Sequence, residues 1–191
     1  MTPACQTPIS DETLLDYWAG DLADDDGMNE VEEHLFACGS CSARLEQFAA
    51  LGSGLATLAR QGRISGIVSR ALVNRLQRDG VHVRAFSLVP GEVVPCAVFP
   101  GDDLIVTALR GDFSAVDAVA LSVTGPGGSP FSQLDNVPVS GPEREVLWAT
   151  PAAFIRQMSS MRLDLTVTST GAARSELGRY ALEHTAFTPP A

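Results

Sequence analysis

Hydrophobic and polar residues follow two different periods along the chain, and the period changes near Gly80. Before this glycine, apolar residues recur every three or four positions, as they do on one face of an α-helix. After it, short apolar runs with a two-residue alternation are separated by Gly, Pro and Asp, which is typical of strands and turns. The pattern predicts an α+β protein whose helices precede its strands.

Three helices are predicted in the first 51 residues. Ser10 is a favourable N-cap for the first helix, and Gly20 is a favourable end for it. The acidic run 24–26 caps a second helix, and a Gly39-Ser40 link leads to a third, which ends at the Gly52-Ser53-Gly54 sequence. The apolar faces of the three helices carry Leu14, Leu15 and Trp18, then Met28, Val31, His34, Leu35 and Cys38, and finally Leu45, Phe48 and Leu51.

The segment 55–79 has the same helical period as the first 51 residues, but its net charge is positive. Five arginines against Asp79 give it a net charge of +4. A break is predicted near Gln61-Gly62, because glycine is a poor helix former. An apolar stripe has to be buried, so the segment packs either on its own chain or on a partner helix. The stripe consists of Ile64, Ile67, Val68, Ala71, Leu72 and Leu76.

Residues 81–191 are expected to form a mainly antiparallel β-sandwich or barrel, whose last two strands pair as a hairpin. A short helix at 151–159 interrupts the strands, with Thr150 as its cap and Pro151 in its first turn. The chain is thus divided into a module 1–52, a linking segment 53–80 and a β-rich domain 81–191. The predicted strands are Val81–Pro90, Val93–Phe99, Leu104–Leu109, Val116–Val123, Glu145–Ala149, Arg162–Thr168 and Gly178–Phe187.

His34, Cys38 and Cys41 form a His-x-x-x-Cys-x-x-Cys sequence, and Cys5 lies upstream of it. Because His34 and Cys38 are four residues apart on a helix, their side chains project from the same face. Cys41 follows one short turn later, and the Cys-x-x-Cys spacing lets two thiolates hold one ion. With Cys5 the set becomes Cys3His, the tetrahedral shell of structural Zn²⁺, which leaves no position for a catalytic water.

The size of the N-terminal part also favours a metal. Residues 1–52 contain few large apolar side chains, and segments under about 70 residues usually need a staple such as a metal ion. One zinc ion would hold the first helix against the junction of the second and third. The predicted fold is therefore a small zinc-stapled helical module, a linking amphipathic helix and a β-sandwich-like domain.

Two other chemistries fit the same thiols. Cys38 and Cys41 could form a redox pair, although they do not follow a strand as they do in thioredoxin-like proteins. A [2Fe–2S] centre could use the same ligands as zinc. Both alternatives stay open at this point.

The remaining reactive side chains carry no site motif. Cys96 stands alone in a predicted strand and is expected to be a buried structural thiol. His82 and His184 are expected at surface or core positions, and Asp102-Asp103 in a turn. No catalytic residue is predicted. A β-domain that binds a small molecule, regulated by the N-terminal module, remains an alternative function.

The 191 residues carry a net charge of −10, and all of it lies in the first 50 residues, which hold 11 acidic side chains and one arginine. Such a segment repels nucleic acid phosphates, so we expect no direct DNA binding and a partner with a basic surface. No apolar run approaches the roughly 18 residues of a membrane-spanning helix. The start of the chain lacks the basic and apolar regions of a secretory signal. We expect a cytoplasmic protein that does not bind a membrane.

The segments 14–22 (LLDYWAGDL) and 31–41 (VEEHLFACGSC) resemble the zinc-binding anti-sigma family. Members have a leading Cys or His, which Cys5 matches, a first helix that ends in a Gly-Asp/Glu-Leu step, and a glutamate-rich helix before His-x-x-x-Cys-x-x-Cys. The resemblance covers residues 1–80. It does not extend to the β-rich part, which varies in the family and often acts as a sensor.

The resemblance implies a function that the residues alone do not. Such proteins are not enzymes; they bind an extracytoplasmic-function sigma factor and hold off transcription, often of a stress response, until a signal releases it. It also implies one Zn²⁺ ion per chain on Cys5, His34, Cys38 and Cys41. In some members oxidation of the zinc thiolates releases the sigma factor, and in many the ion is only structural, so both roles stay open here.

Overall fold

The structure is a computed structural model and describes residues 5, 7–22, 25–139, 143–170 and 174–187. These residues form two compact units. The helical unit contains the described residues up to Leu58 together with Ala71–Val81, and the β unit contains Ala59–Arg70 together with those from His82 onward. The fold is mixed α+β with its helices mainly in the N-terminal part, as the sequence predicts.

Helix α1 (Asp11–Ala19) begins and ends where the sequence predicts. Its N-cap Ser10 accepts a hydrogen bond from the amide of Thr13 at 3.0 Å, which satisfies one of the free N–H groups of the first turn. At the other end Gly20 adopts the left-handed conformation, with φ of 71°. Glycine enters this conformation without the clash that a Cβ atom would cause.

Helix α2 (Asp25–Ala37) and helix α3 (Gly39–Arg60) are separated by Cys38 alone. Helix α2 begins within the predicted acidic run, of which Asp24 lies outside the described residues. It buries a single residue, Val31. Helix α3 is the longest of the described helices, with 22 residues. In the described part of the chain, no helix is long and apolar enough to cross a lipid bilayer.

The predicted end of the third helix at Gly52-Ser53-Gly54 is wrong, because α3 continues through this sequence. A β-carbon placed on Gly52 would lie 2.0 Å from Cζ2 of Trp18. No side chain other than glycine leaves room for the indole at this position. Gly52 therefore allows a close contact between α1 and α3 and does not mark a chain break.

The predicted break at Gln61-Gly62 is confirmed, since α3 ends just before it and Gly62 has φ of 66°. Beyond the break the amphipathic stripe is not one helix. Gly66–Val68 form strand β1, and helix α4 follows at Arg70–Arg78. Strand β1 pairs antiparallel with residues 147–149, a distant partner that local periodicity does not reveal. The helix predicted through this segment is therefore wrong at β1.

Helix α4 groups with the first three helices from Ala71 onward. Val73 and Leu76 are buried. Arg75 donates a hydrogen bond to the carbonyl oxygen of Trp18 at 3.2 Å, and its guanidinium carbon lies 4.8 Å from the centre of the indole ring. Of the two predicted ways to bury the stripe, packing on its own chain is therefore the one found for α4.

The β unit contains eight further strands, one short α-helix and one turn of 3₁₀-helix (Pro126–Gly128) among the described residues. The strands are β2 (Val83–Leu88), β3 (Val93–Cys96), β4 (Leu104–Leu109), β5 (Ala118–Thr124), β6 (Pro130–Pro138), β7 (Val146–Pro151), β8 (Met161–Ser169) and β9 (Glu176–His184). Strand β6 was not predicted, because prolines at both of its ends are typical of turns. The predicted helix at 151–159 is shorter: α5 covers Ala152–Ile155, and Pro151, not Thr150, occupies the N-cap position.

The strands form two sheets, in the order β1-β7-β4-β2 and β3-β9-β8-β5-β6. Most neighbours are antiparallel, including the predicted terminal hairpin β8-β9, whereas the pairs β2-β4 and β3-β9 are parallel. Ile105 and Leu109 of the first sheet belong to the same hydrophobic core as Leu121, Leu165 and Leu182 of the second. A core that two sheets share is what a β-sandwich requires.

The isolated thiol and imidazoles lie where the sequence predicts. Cys96 on β3 is buried, and this burial raises the pKa of its thiol to about 11. His184 on β9 is also buried, whereas His82 is exposed and its Nδ1 lies 3.4 Å from a carboxylate oxygen of Asp103. Asp102 stabilises the predicted turn by accepting a hydrogen bond from the amide of Phe99 at 2.8 Å.

Candidate metal centre

The helical unit brings the four predicted ligand residues together at one helix junction. His34 lies in the last turn of α2, Cys38 lies between the two helices, and Cys41 lies in the first turn of α3. Cys5 lies in the extended segment ahead of α1. Each residue offers one ligand atom, and the four ligand atoms all lie within 4.8 Å of one another.

The distances fit a single tetrahedral ion. Zn²⁺ binds sulfur at about 2.3 Å and nitrogen at about 2.0 Å, so a tetrahedral shell places a sulfur about 3.5 Å from a nitrogen and two sulfurs about 3.8 Å apart. The Nε2 atom of His34 lies 3.5 Å from Sγ of Cys5 and 3.3 Å from Sγ of Cys41. The arrangement therefore needs only small adjustments to hold zinc.

Hydrogen bonds fix the junction that carries three of these residues. The amide of Cys38 donates to the carbonyl of His34 at 2.8 Å, and the amide of Ser42 donates to the carbonyl of Cys38 at 3.1 Å. The hydroxyl of Ser42 also donates to the carbonyl of Leu35 at 2.6 Å, an acceptor at the end of α2. These bonds satisfy backbone groups that both helix ends would otherwise leave free. These hydrogen bonds thus support the backbone positions of His34, Cys38 and Cys41.

The helix start also favours a thiolate at Cys38. The pKa of its thiol is lowered to about 6, chiefly because the amide of Cys41 donates to it and the Cys5 side chain hydrogen-bonds it. The pKa of the Cys5 thiol is raised, first by its partial burial and then by its hydrogen bond to Cys38. Because the ligand form of cysteine is the thiolate, Cys38 is already prepared to bind an ion at neutral pH.

Arg44 lies beside the four-residue group but is not one of its candidate ligands. Its guanidinium donates to the carbonyl of Ile9 at 2.9 Å, pairs with the carboxylate of Asp11, and hydrogen-bonds the Cys41 side chain. It therefore ties the segment that follows Cys5 to α3 and places a positive charge beside the sulfur of a candidate ligand. Partners of this kind orient ligands and tune their affinity. Sequence reasoning did not single out Arg44, whose one signal is that it is the only basic residue among the first 50.

The side chains of the group differ in exposure. Cys41 is buried, whereas Cys5, His34 and Cys38 are partly exposed. Four protein ligands fill a tetrahedral shell, which is the composition of a structural site and not of a catalytic one. Among the described residues, this is the only group of three or more Cys, His, Asp or Glu side chains with the spacing of a metal site. Cys96 is not a member of it.

No protein-family model matches this chain, and no curated protein matches its sequence.

Proposed function

We propose that this protein is an anti-sigma factor that binds an extracytoplasmic-function sigma factor through its helical unit and inhibits transcription until a signal releases it. The observation that carries the proposal is the grouping of Cys5, His34, Cys38 and Cys41 at the α2-α3 junction. This group coincides with the residues on which the resemblance to zinc-binding anti-sigma proteins rests. The protein would act as a cytoplasmic binding protein and not as an enzyme.

In this proposal the group holds one Zn²⁺ ion as a structural cofactor. When bound, zinc supplies four strong ligand bonds that keep the start of the chain on the α2-α3 junction. The residues themselves do the rest: the Ser42 hydrogen bonds hold the junction, and Arg44 holds the segment that follows Cys5. The ion would thus fix the arrangement of α1, α2 and α3 that the partner binds.

The charge of the helical unit supports a basic protein partner. Residues 1–50 carry 11 of the 23 acidic side chains. Complementary charge speeds the encounter of two proteins and excludes wrong partners, and the same charge repels nucleic acids and anionic membrane surfaces. A sigma factor, whose surfaces must bind DNA, offers the opposite charge.

The β unit is proposed as the part that receives the signal. Its interior is filled by large side chains, including Phe113, Tyr180 and Leu121. A signal molecule or protein would therefore have to bind at its surface.

The proposal expects the gene of a sigma factor to lie next to the gene of this protein, and co-expression of the two proteins tests it. We expect the two proteins to elute together from a size-exclusion column as a one-to-one complex. A Cys38→Ser variant should lose both zinc and the complex, while Cys96→Ala should keep both. Separate elution of the two wild-type proteins would reject the anti-sigma function.

A second candidate function is thiol-based redox chemistry, which the proximity of three cysteines favours. Oxidation of two thiolates to a disulfide removes two ligands and two electrons, which an oxidant such as a peroxide would accept. This function predicts turnover in a disulfide-reduction assay and little zinc after purification under reducing conditions. One zinc per chain and no turnover would favour the structural role.

A further inference from the structure

Helix α2 carries a large apolar side chain, Phe36, that is exposed to solvent. The ring of Phe36 is 92% exposed, the highest value among the large exposed apolar residues. It lies two positions before Cys38, on the side of the helix opposite to Val31 and His34. An exposed phenylalanine adds nothing to the hydrophobic stabilisation of the fold. Its position leaves the ring accessible to another molecule.

Carboxylates share this side of the helix with Phe36. Residues three, four, seven and eleven positions before it lie on the same face of an α-helix. They are Glu33, Glu32, Asn29 and Asp25, and we call these residues with Phe36 the outer α2 face. Glu32 accepts a hydrogen bond from the hydroxyl of Tyr17 at 3.3 Å. The others are exposed.

Two of the three carboxylates of this face lie near the end of the helix where its dipole disfavours negative charge. Negative charges are favourable in the first turn of a helix, where Asp25 lies, but unfavourable near its C-terminus, where Glu32 and Glu33 lie. The only basic residue among the first 50, Arg44, is paired with Asp11. The outer α2 face is therefore acidic, contains no basic side chain and carries an exposed aromatic ring, a combination that is complementary to a basic partner surface.

We propose that the outer α2 face is a docking site for a basic amphipathic helix of the sigma factor, with Phe36 filling an apolar pocket beside that helix. The inference rests on the proposed function and adds to it the contact surface and the chemistry of the partner. Phe36 is the central anchor, and Glu33 and Asp25 pair with arginines or lysines around it. Aromatic anchors surrounded by polar contacts are the usual composition of an interface hot spot.

Titration of the full-length zinc-loaded protein against the neighbouring sigma factor tests the inference. Phe36→Ser should raise the dissociation constant by at least about ten-fold, as loss of an anchor does. Phe36→Leu should restore part of the affinity. Phe154→Ser is the matched control, since Phe154 is 48% exposed on the β unit, and it should leave the affinity unchanged.

Charge gives an independent measurement on the same face. Glu33→Arg should weaken binding and reduce its dependence on salt concentration, because one attractive pair becomes repulsive. Zinc content and the circular dichroism spectrum should equal those of the wild type in both variants. If Phe36→Ser altered the fold, the Glu33→Arg result alone would decide.

The outcomes separate the inference from the proposed function. Wild-type binding with no change in the Phe36→Ser and Glu33→Arg variants would overturn the docking site and leave the anti-sigma function intact. No binding of the wild type to the sigma factor would overturn both. Binding of the wild type to neutral phosphatidylcholine vesicles that Phe36→Ser abolishes would also overturn the inference, because Phe36 would then be a membrane contact.

Discussion

The two units of this protein are held together by different interactions. In the β unit nineteen buried residues form one hydrophobic core that both sheets share. Among its described residues the helical unit buries eight apolar ones, of which three are alanine or cysteine and three lie on or just after α4, outside the first three helices: Leu14, Ala19, Val31, Cys41, Ala56, Val73, Leu76 and Val81. The β unit thus has a large apolar core, whereas the helical unit has a small one beside its helix caps and polar contacts. We expect the proposed zinc ion to make up the difference in stability.

Loss of the proposed zinc ion is expected to have the largest effect on stability. It should unfold the helical unit and leave the β unit folded. Cys38→Ser, or a chelator, should unfold the helical unit, because structural zinc in small domains contributes about 10–16 kcal/mol of apparent binding energy at pH 7. The helical signal in circular dichroism should fall while the β-sheet signal remains. Cys96→Ala is the control and should retain one zinc per chain. Unchanged helical content in Cys38→Ser would show that the unit does not need the ion.

A core truncation in the β unit should have the reverse effect. The side chain of Leu165 is fully buried between the sheets, so Leu165→Ala should destabilise that unit by about 2–5 kcal/mol. Denaturant unfolding followed by β-sheet signal measures the change. Zinc content should stay at one per chain. A loss of zinc in this variant would contradict the independence of the two units.

The contact of Trp18 with α3 permits a smaller test within the helical unit. Gly52→Ala places a Cβ atom 2.0 Å from the indole and should destabilise the unit by about 1–3 kcal/mol. Gly54 lies two residues further along the same helix, with no atom within 4 Å of its would-be Cβ. Gly54→Ala should stabilise α3 by about 0.5–1 kcal/mol. Equal effects of the two changes in thermal unfolding would remove the proposed packing role of Gly52.

The smallest expected effect is a difference in the rate at which Cys96 and Cys38 are alkylated. This measurement does not require a change in stability. Because alkylating reagents attack the thiolate, Cys96, with a pKa of about 11, should stay unmodified by iodoacetamide at pH 8, where only about one thiol in a thousand is ionised. Its reactivity should rise only as the pH approaches that pKa. In the metal-free protein Cys38, with a pKa of about 6, should be modified first. Mass spectrometry of peptides after timed quenching measures the order.

Local signals explain which features were predictable from the sequence. Ser10 and Gly20 define α1 because a cap acts on residues within one turn. Strand β4 follows from a short apolar run between turn residues, and the β8-β9 hairpin follows from alternation in a short stretch of the chain. The grouping of His34, Cys38 and Cys41 follows from helix geometry, and only Cys5 comes from a distant segment.

The errors arose where a distant contact decides the local structure. Gly52 is typical of a helix end in the sequence, but in the structure it lies inside α3 and leaves room for the indole of Trp18. Strand β1 has three residues, too few for a detectable period, and exists because β7 pairs with it. The place of α4 in the helical unit depends on Trp18 and Arg75, which are 57 residues apart.

The order of the two units along the chain has a practical consequence for dissection of the protein. Because Ala59–Arg70 belong to the β unit and lie between two stretches of the helical unit, no single cut of the backbone yields two complete halves. A fragment that stops at Leu58 would lack Val73 and Leu76, and its indole would lose the guanidinium of Arg75. A fragment that starts at His82 would lack the edge strand β1. The two units are therefore better studied by single substitutions in the whole chain than by truncation.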